Sequence, residues 1–279
     1  MKNAELSQRA YATSISVLMS VYNTKEEYLR KAIESILCQS FSDYEFIIFN
    51  DCSDEKTTAV LREYQDERIK LIENPENRGL TKNLNTGIAL ARGKYIARMD
   101  ADDISLPNRL KIQYSYMEKY PDVDILGGEV LFDDFKSVCW RYFPQEWRRV
   151  NQLFTNHGIC HPTAFFRAEF LRKNGMFYNE EYDKSQDYEL WTRAFRVGRL
   201  AVCKEPVLYY RCHDGQISVS SSTSARQKEL DAQIRKNLFI ELIPNAMSNE
   251  YEQLLNMDME ILSVDDLSKL LVCFVMENE

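Results

Sequence analysis

The chain is predicted to be an α/β protein: a mostly parallel central sheet flanked by helices, with a C-terminal helical appendage. Two observations predict this. Short apolar runs of strand length alternate with segments whose apolar residues recur at helical spacing, and a polar loop follows each run. Length and composition agree, since 279 residues with 44% hydrophobic and 28% charged side chains can bury a substantial core.

Residues 15–21 form an apolar run suited to a buried strand, ended by Tyr22-Asn23-Thr24; Leu29, Ile33, Ile36 and Leu37 then recur at helical spacing. Residues 44–49 make a second buried strand, Asp51-Cys52-Ser53-Asp54 a polar loop with capping residues, and residues 57–64 a helix. A third strand covers residues 69–72. Asn74-Pro75-Glu76-Asn77-Arg78-Gly79 turns the chain, and Leu80, Leu84 and Ile88 mark a helix ending near Gly93. Residues 94–99 read as the fourth strand, and a helix runs from Pro107, tolerated in a first turn, to about Tyr120. Further on, residues 207–212 read as a strand and residues 218–224 as a Ser/Thr-rich linker or mobile loop. Residues 226–243 and 251–276 read as helices, the second with an apolar face of Leu267, Leu270, Leu271, Phe274 and Val275. That face packs the appendage on the main domain; a homodimer contact or peripheral membrane docking is its other use.

The net charge of −8 disfavours nucleic acid as a partner, because phosphate binding needs clustered Lys and Arg. Seven scattered cysteines, with no CxxC pair, suggest neither a disulfide framework nor zinc, and fit a reducing cytoplasm. No apolar run reaches the ~18 to 20 residues of a membrane span.

The most informative stretch is Arg98-Met99-Asp100-Ala101-Asp102-Asp103, three carboxylates in four residues after an apolar segment. Carboxylates crowded at a strand end repel one another unless a cation sits between them, and Mg²⁺ or Mn²⁺ prefers oxygen ligands. Sheets of this class bind ligands at the carboxyl ends of their strands, where strand order reverses. Tyr22 and Asn23, Asp51, and Asp100 to Asp103 all fall at such ends. A tyrosine offers a face to a nucleobase, and a carboxylate accepts a base N–H. Taken singly, Tyr22 also reads as a packing aromatic and Asp51 as a helix cap or turn residue.

The runs Val17-Leu18-Met19-Ser20-Val21-Tyr22-Asn23, Asn50-Asp51-Cys52-Ser53-Asp54, Asn77-Arg78-Gly79 with Asn83, and Gly93-Lys94-Tyr95-Ile96 leading into Asp100-Ala101-Asp102-Asp103 together resemble the family 2 glycosyltransferases of the GT-A fold. His161-Pro162-Thr163, Gln186-Asp187-Tyr188-Glu189-Leu190-Trp191 and Tyr209-Tyr210-Arg211-Cys212-His213 continue the pattern, so the resemblance covers residues 14–220. It implies a tail over 1–13 and a GT-A domain over 14–220, with a nucleotide-binding half (14–103) and an acceptor and catalytic half (104–220). A helical extension over 221–279 completes the chain. It further implies a nucleotide-sugar donor, a uridine diphosphate sugar above all, and a glycan or polyprenyl-linked glycan acceptor of bacterial surface polysaccharide synthesis, in the cytoplasm or at the inner membrane face.

Residue by residue, the resemblance assigns Tyr22 and Asp51 to base reading, Asp100 to a ribose or nucleotide contact, and Asn23, Lys82 and Ala101 to the rest of the donor site. Asp102 becomes the main ligand of a Mn²⁺ or Mg²⁺ ion, with Asp103 and His213 beside it, and Asp187 the catalytic base. Two positions depart from the pattern. Gln186 stands where many relatives carry Glu, leaving one acid rather than two and simplifying the titration of Asp187. Lys82 stands where many carry Arg, and a point charge is no planar fork for phosphate.

The expected reaction is an inverting displacement: one carboxylate takes the acceptor hydroxyl's proton while the diphosphate leaves from the opposite face of the sugar. Asp187 opens a helix whose apolar side includes Leu190, Trp191 and Ala194, a location that favours its ionised form, although Asp at this place also reads as a plain helix cap. A non-catalytic nucleotide-sugar or glycan-binding protein would have no reason to keep Asp187. A sugar-1-phosphate nucleotidyltransferase should open with a Gly-rich basic loop, which Ser20-Val21-Tyr22-Asn23 is not. Residues 140–149, rich in aromatics and arginines, read as a packed helix or an acceptor or lipid contact.

Overall fold

The structure is a computed structural model and describes residues 11–132, 159–213 and 221–242. The stretches 140–149 and 251–276, and the start of the Ser/Thr-rich segment, lie outside the described residues. The β-α alternation is realised as β1 (Thr13–Val21), α1 (Glu26–Leu37), β2 (Tyr44–Asn50), α2 (Glu55–Glu63), β3 (Ile69–Glu73), α3 (Leu80–Leu90) and β4 (Gly93–Asp100). Then follow β5 (Ile104–Ser105), α4 (Arg109–Lys119), β6 (Ile125–Leu131), β7 (Phe165–Arg167), α5 (Ala168–Lys173), α6 (Gln186–Val197), β8 (Leu200–Tyr209) and α7 (Ser221–Leu242).

One eight-stranded sheet runs in the order β3-β2-β1-β4-β7-β6-β8-β5. Its first half is parallel, β1 pairing with β2 and β4 and β2 with β3. The second half is mixed: β7 runs antiparallel to β4 and β6, β6 parallel to β8, and β5 antiparallel to β8. Strand order reverses at β1, which sits between β2 and β4, so the loops after β1, β2 and β4 open on one crevice.

Side-chain alternation sends each strand's residues to two apolar layers. Ile15, Val17, Met19 and Val21 of β1 pack with Leu29, Ile33 and Ile36 of α1 and Leu110 and Met117 of α4. Leu18 faces the other way, in the layer that holds Leu84 and Ile88 of α3 and Leu190 and Trp191 of α6. Helices therefore cover both faces, as a parallel sheet requires.

Three sequence expectations shift. Gly93 opens β4 rather than closing the helix, because a Cβ there would lie 2.5 Å from the Ser16 nitrogen of β1. The strand expected over 207–212 is β8, which starts at Leu200 and stops at Tyr209; its register with β6 slips opposite Pro206, which has no N–H to donate. The helix α7 begins at Ser221, so residues 221–224 belong to a helix and not to a linker. No helix of the described residues is long and apolar enough to cross a membrane.

Candidate active site

The carboxyl ends of β1, β2 and β4 bring the candidate residues together. Tyr22 is 54% exposed at the end of β1, so its ring face is open. Asn23 takes a left-handed φ of 49°, tolerable for Asn, and its Oδ1 accepts from the Asp54 N–H at 2.8 Å, tying the loop after β1 to the loop after β2. Lys82 is exposed on α3, and Ala101 is buried between Asp100 and Asp102.

Asp51 is not a helix cap. Asp54 caps α2, accepting from the Thr57 N–H at 2.8 Å. Asp51 is 2% exposed and latches the loop before α3: Oδ1 accepts from Asn74 Nδ2 at 2.8 Å and the Arg78 N–H at 2.9 Å, and Oδ2 from the Gly79 N–H at 2.8 Å. These donors outweigh the cost of burial and hold the carboxyl below the usual carboxylate range. Asn74 also donates to Asn83 Oδ1, whose Nδ2 reaches Ser20 Oγ at 2.9 Å. The latch depends on Gly79, at φ 83°, where only glycine is unstrained.

If Asp51 reads a base N–H, Asp51→Ala should weaken binding of uridine diphosphate by ~1 to 3 kcal/mol, and stability should fall as well because three donors lose their acceptor. A double cycle with a 3-N-methyl uracil ligand separates contact from latch. The methyl should cost affinity in the wild type and nothing further in Asp51→Ala; an equal cost in both would leave Asp51 with the latch alone.

After β4 the three acidic residues converge, with one carboxylate oxygen of each of Asp100, Asp102 and Asp103 within 4.8 Å of the others. His213, beyond β8, closes on them from far along the chain, its Nε2 3.0 Å from Asp102 Oδ2. The segment that carries it is held against α1: the Arg211 guanidinium lies 4.2 Å from the centre of the Tyr28 ring, and the His213 ring lies 5.0 Å from the same ring. Asp103 is 1% exposed; Oδ1 accepts from the Arg211 N–H at 3.0 Å and Oδ2 has no partner among the described residues. Burial, then the charges of Asp100 and Asp102, push its carboxyl well above the carboxylate range. An oxygen-rich set with a buried unpartnered acceptor fits a hard divalent cation.

Sequence reasoning passed over Arg98. It is a charged residue within the buried strand β4, 3% exposed, and its guanidinium pairs with Asp100. Its main-chain oxygen accepts from Arg109 Nη2 at 2.6 Å, and Arg109 is itself fully buried. Burial raises the Asp100 carboxyl, and Arg98 pulls it back down. The available signal was the arginine itself, since a buried strand seldom holds an unpaired charge.

Asp187 is the second residue of α6, whose N-cap position belongs to Ser185. It is partly buried, and burial pushes its carboxyl up to about 6; the Tyr188 N–H and the Arg98 charge oppose that rise, and Asp231 adds to it. The sequence reading that the helix terminus favours the ionised form is thus corrected: the helix N–H groups act in that direction, but desolvation is larger. Gln186 leaves Asp187 as the acid of this motif, and the nearby charge that raises it comes from Asp231 of α7. Gln186 is 8% exposed and its Oε1 has no partner among the described residues. Below α6, His161 Nε2 lies 2.8 Å from the Tyr178 hydroxyl, and burial holds the imidazole well below its ordinary pKa, hence neutral.

Residues 16–175 match the model of the family described as glycosyl transferase family 2. An uncharacterised glycosyltransferase of Methanocaldococcus jannaschii is 37% identical over 205 residues, covering 71% of this chain and 70% of that protein. The Escherichia coli protein WfgD, a UDP-Glc:alpha-D-GlcNAc-diphosphoundecaprenol beta-1,3-glucosyltransferase, is 27% identical over 219 residues, covering 78% of this chain and 83% of its own length. Among solved structures, Staphylococcus aureus TarS (residues 1–349) in complex with UDP-GlcNAc superposes with a TM-score of 0.65 at 20% identity, over 87% of this chain and 70% of that one. The Pyrobaculum calidifontis mannosyltransferase PcManGT in complex with GDP-Man and Mn²⁺ gives 0.64 at 16% identity, over 97% and 82%. With the switch-point crevice, the acidic cluster and the matching family model in place, the chain belongs to glycosyl transferase family 2 and is a transferase with the GT-A fold.

Proposed function

We propose that the protein is an inverting, divalent-metal-dependent glycosyltransferase that moves a sugar from a uridine diphosphate donor to a glycan or polyprenyl-linked glycan, in bacterial surface polysaccharide synthesis at the cytoplasmic face of the membrane. The observation that carries the reading is the cluster of Asp100, Asp102 and Asp103, closed by His213; it is supported by Asp187 in the first turn of α6, whose carboxyl burial pushes up to about 6 and which feels the charge of Arg98, the partner of Asp100. The donors named for WfgD and TarS support uridine diphosphate, the acceptor named for WfgD supports a lipid-linked glycan, and the Mn²⁺ bound to PcManGT supports the metal.

In this reading residues 14–103 bind the nucleotide, with Tyr22 stacking on the base, Asp51 accepting its N–H, and Asn23, Lys82, Asp100 and Ala101 lining the remainder. Residues 104–220 carry acceptor and chemistry, and residues 221–279 extend them. Asp102, with Asp103 and His213, would hold Mn²⁺ or Mg²⁺, which supplies charge stabilisation for the departing diphosphate. Asp187 accepts the acceptor hydroxyl's proton as that oxygen bonds to the anomeric carbon and the bond to the diphosphate oxygen breaks. Its depth in the protein keeps a carboxylate basic enough to do so near neutral pH.

A panel of nucleotide sugars tests this. Thermal stabilisation and slow hydrolysis in the presence of Mn²⁺ should single out uridine diphosphate sugars. Equal response to guanosine and uridine donors would overturn the donor assignment.

A further inference from the structure

The helix α7 carries one residue that packing alone does not explain. Its inner stripe is Gln227, Leu230, Asp231, Ile234 and Leu238, and Leu230, Ile234 and Leu238 are each 6% exposed or less. Ile234 and Leu238 pack on Tyr188 of α6, which is fully buried. A carboxylate in such a stripe costs stability unless something uses it. Oδ1 of Asp231 is buried with no hydrogen-bond partner among the described residues. The Ser185 hydroxyl donates to the Gln227 carbonyl at 3.5 Å, one turn before Asp231 on the same face of α7. Ser185 is fully buried and occupies the N-cap of α6, yet its side chain makes no capping bond there. The hydroxyl that would ordinarily serve its own helix is turned toward α7.

We propose that Asp231 is a positioning residue for transfer: set one turn beyond the Ser185 contact that ties α6 to α7, its charge acts on Asp187 in the first turn of α6, so that the C-terminal helix completes the surroundings of the base. The inference rests on the reading of Asp187 as that base. Among the described residues, the groups that bear on Asp187 come from four segments: Arg98 from β4, Cys160 before the turn at His161, Tyr178 after α5, and Asp231 from α7. Of these, Arg98 alone is positive. Arg98 pulls the Asp187 carboxyl down and Asp231 pushes it up, while Arg235, on the same helix as Asp231, pulls the Asp231 carboxyl down. Asp231 thereby opposes the arginine and keeps the base from becoming too weak.

The test needs no donor. In the full chain labelled with ¹³C at the aspartate carboxyls, the Asp187 signal is identified by its loss in Asp187→Asn and followed against pH. In Asp231→Asn, which keeps size while removing the charge, the Asp187 midpoint should move down by roughly 0.5 to 1 pH unit. Ser185→Ala, which removes the bond from α6 to the Gln227 carbonyl of α7 but keeps both carboxylates, should shift the Asp187 signal itself. With a donor in hand, the acid limb of the transfer rate in Asp231→Asn should move by the same amount as the midpoint. An unchanged Asp187 midpoint in Asp231→Asn together with an unchanged signal in Ser185→Ala overturns the inference. Full transfer by Asp187→Asn would instead remove the base reading, and leave the measured coupling standing.

Discussion

Replacing Asp187 with asparagine is expected to lower transfer by roughly 10² to 10⁴ while donor affinity is retained, the loss typical of a missing general base. Asparagine keeps the size of the side chain and can meet the same helix N–H groups, but it accepts no proton. A capping role would give a different outcome, and Ser185 already holds the cap position. The wild-type rate should fall as pH drops through about 6, because only the ionised carboxylate is a base. Stability should run in the opposite direction. Burial raises this carboxyl above its unfolded value, so its contribution is full below about 4, the unfolded pKa, and is lost as pH rises through about 6. Asp187→Asn removes that loss, and the variant should match or exceed the wild-type melting temperature at neutral pH while being nearly inactive. Near-normal turnover in this variant would falsify Asp187 as the base.

Much of this arrangement is legible from residue types and spacing, because it depends on local physics. The strands of the parallel half announce themselves as apolar runs since both their faces are buried, as the fully buried β2 shows. The polar residues at their carboxyl ends stand out for the same reason. What spacing does not reveal is long-range. That β7 would enter between β4 and β6, turning the sheet mixed, follows from three residues, Phe165–Arg167, too short for any periodic signal. The latch of Asp51 on Arg78 and Gly79, and the pairing of Ser185 with α7, are contacts between loops and helices that no short motif encodes. The sign of the Asp187 shift was misread because a helix terminus is visible in sequence and burial is not. Arg98 is the opposite case: its charge was in plain view within β4, and its meaning emerged only when Asp100 was found beside it.

Asp102→Ala should abolish transfer as completely as chelation does, with one difference: added Mn²⁺ or Mg²⁺ restores the chelated wild type and not the variant. Asp102 is the member of the cluster that faces His213, and it is partly exposed, whereas Asp103 is buried and Asp100 is engaged by Arg98. It is therefore the carboxylate best placed to ligate an ion and bound diphosphate together. Stability gives a second, donor-free readout. Three carboxylates within 4.8 Å repel one another in the metal-free protein, so removing one should leave the melting temperature unchanged or raised. The wild type should gain thermal stability on adding Mn²⁺, since a ligand that binds only the folded state stabilises it by mass action, and Asp102→Ala should gain little or none. His213→Ala should fall between the two, needing more Mn²⁺ for the same gain, because it removes one neighbour of the site and leaves all three carboxylates. A metal-dependent rise in Asp102→Ala equal to that of the wild type would place the ion elsewhere, and Asp102 would then be a donor contact and not a ligand.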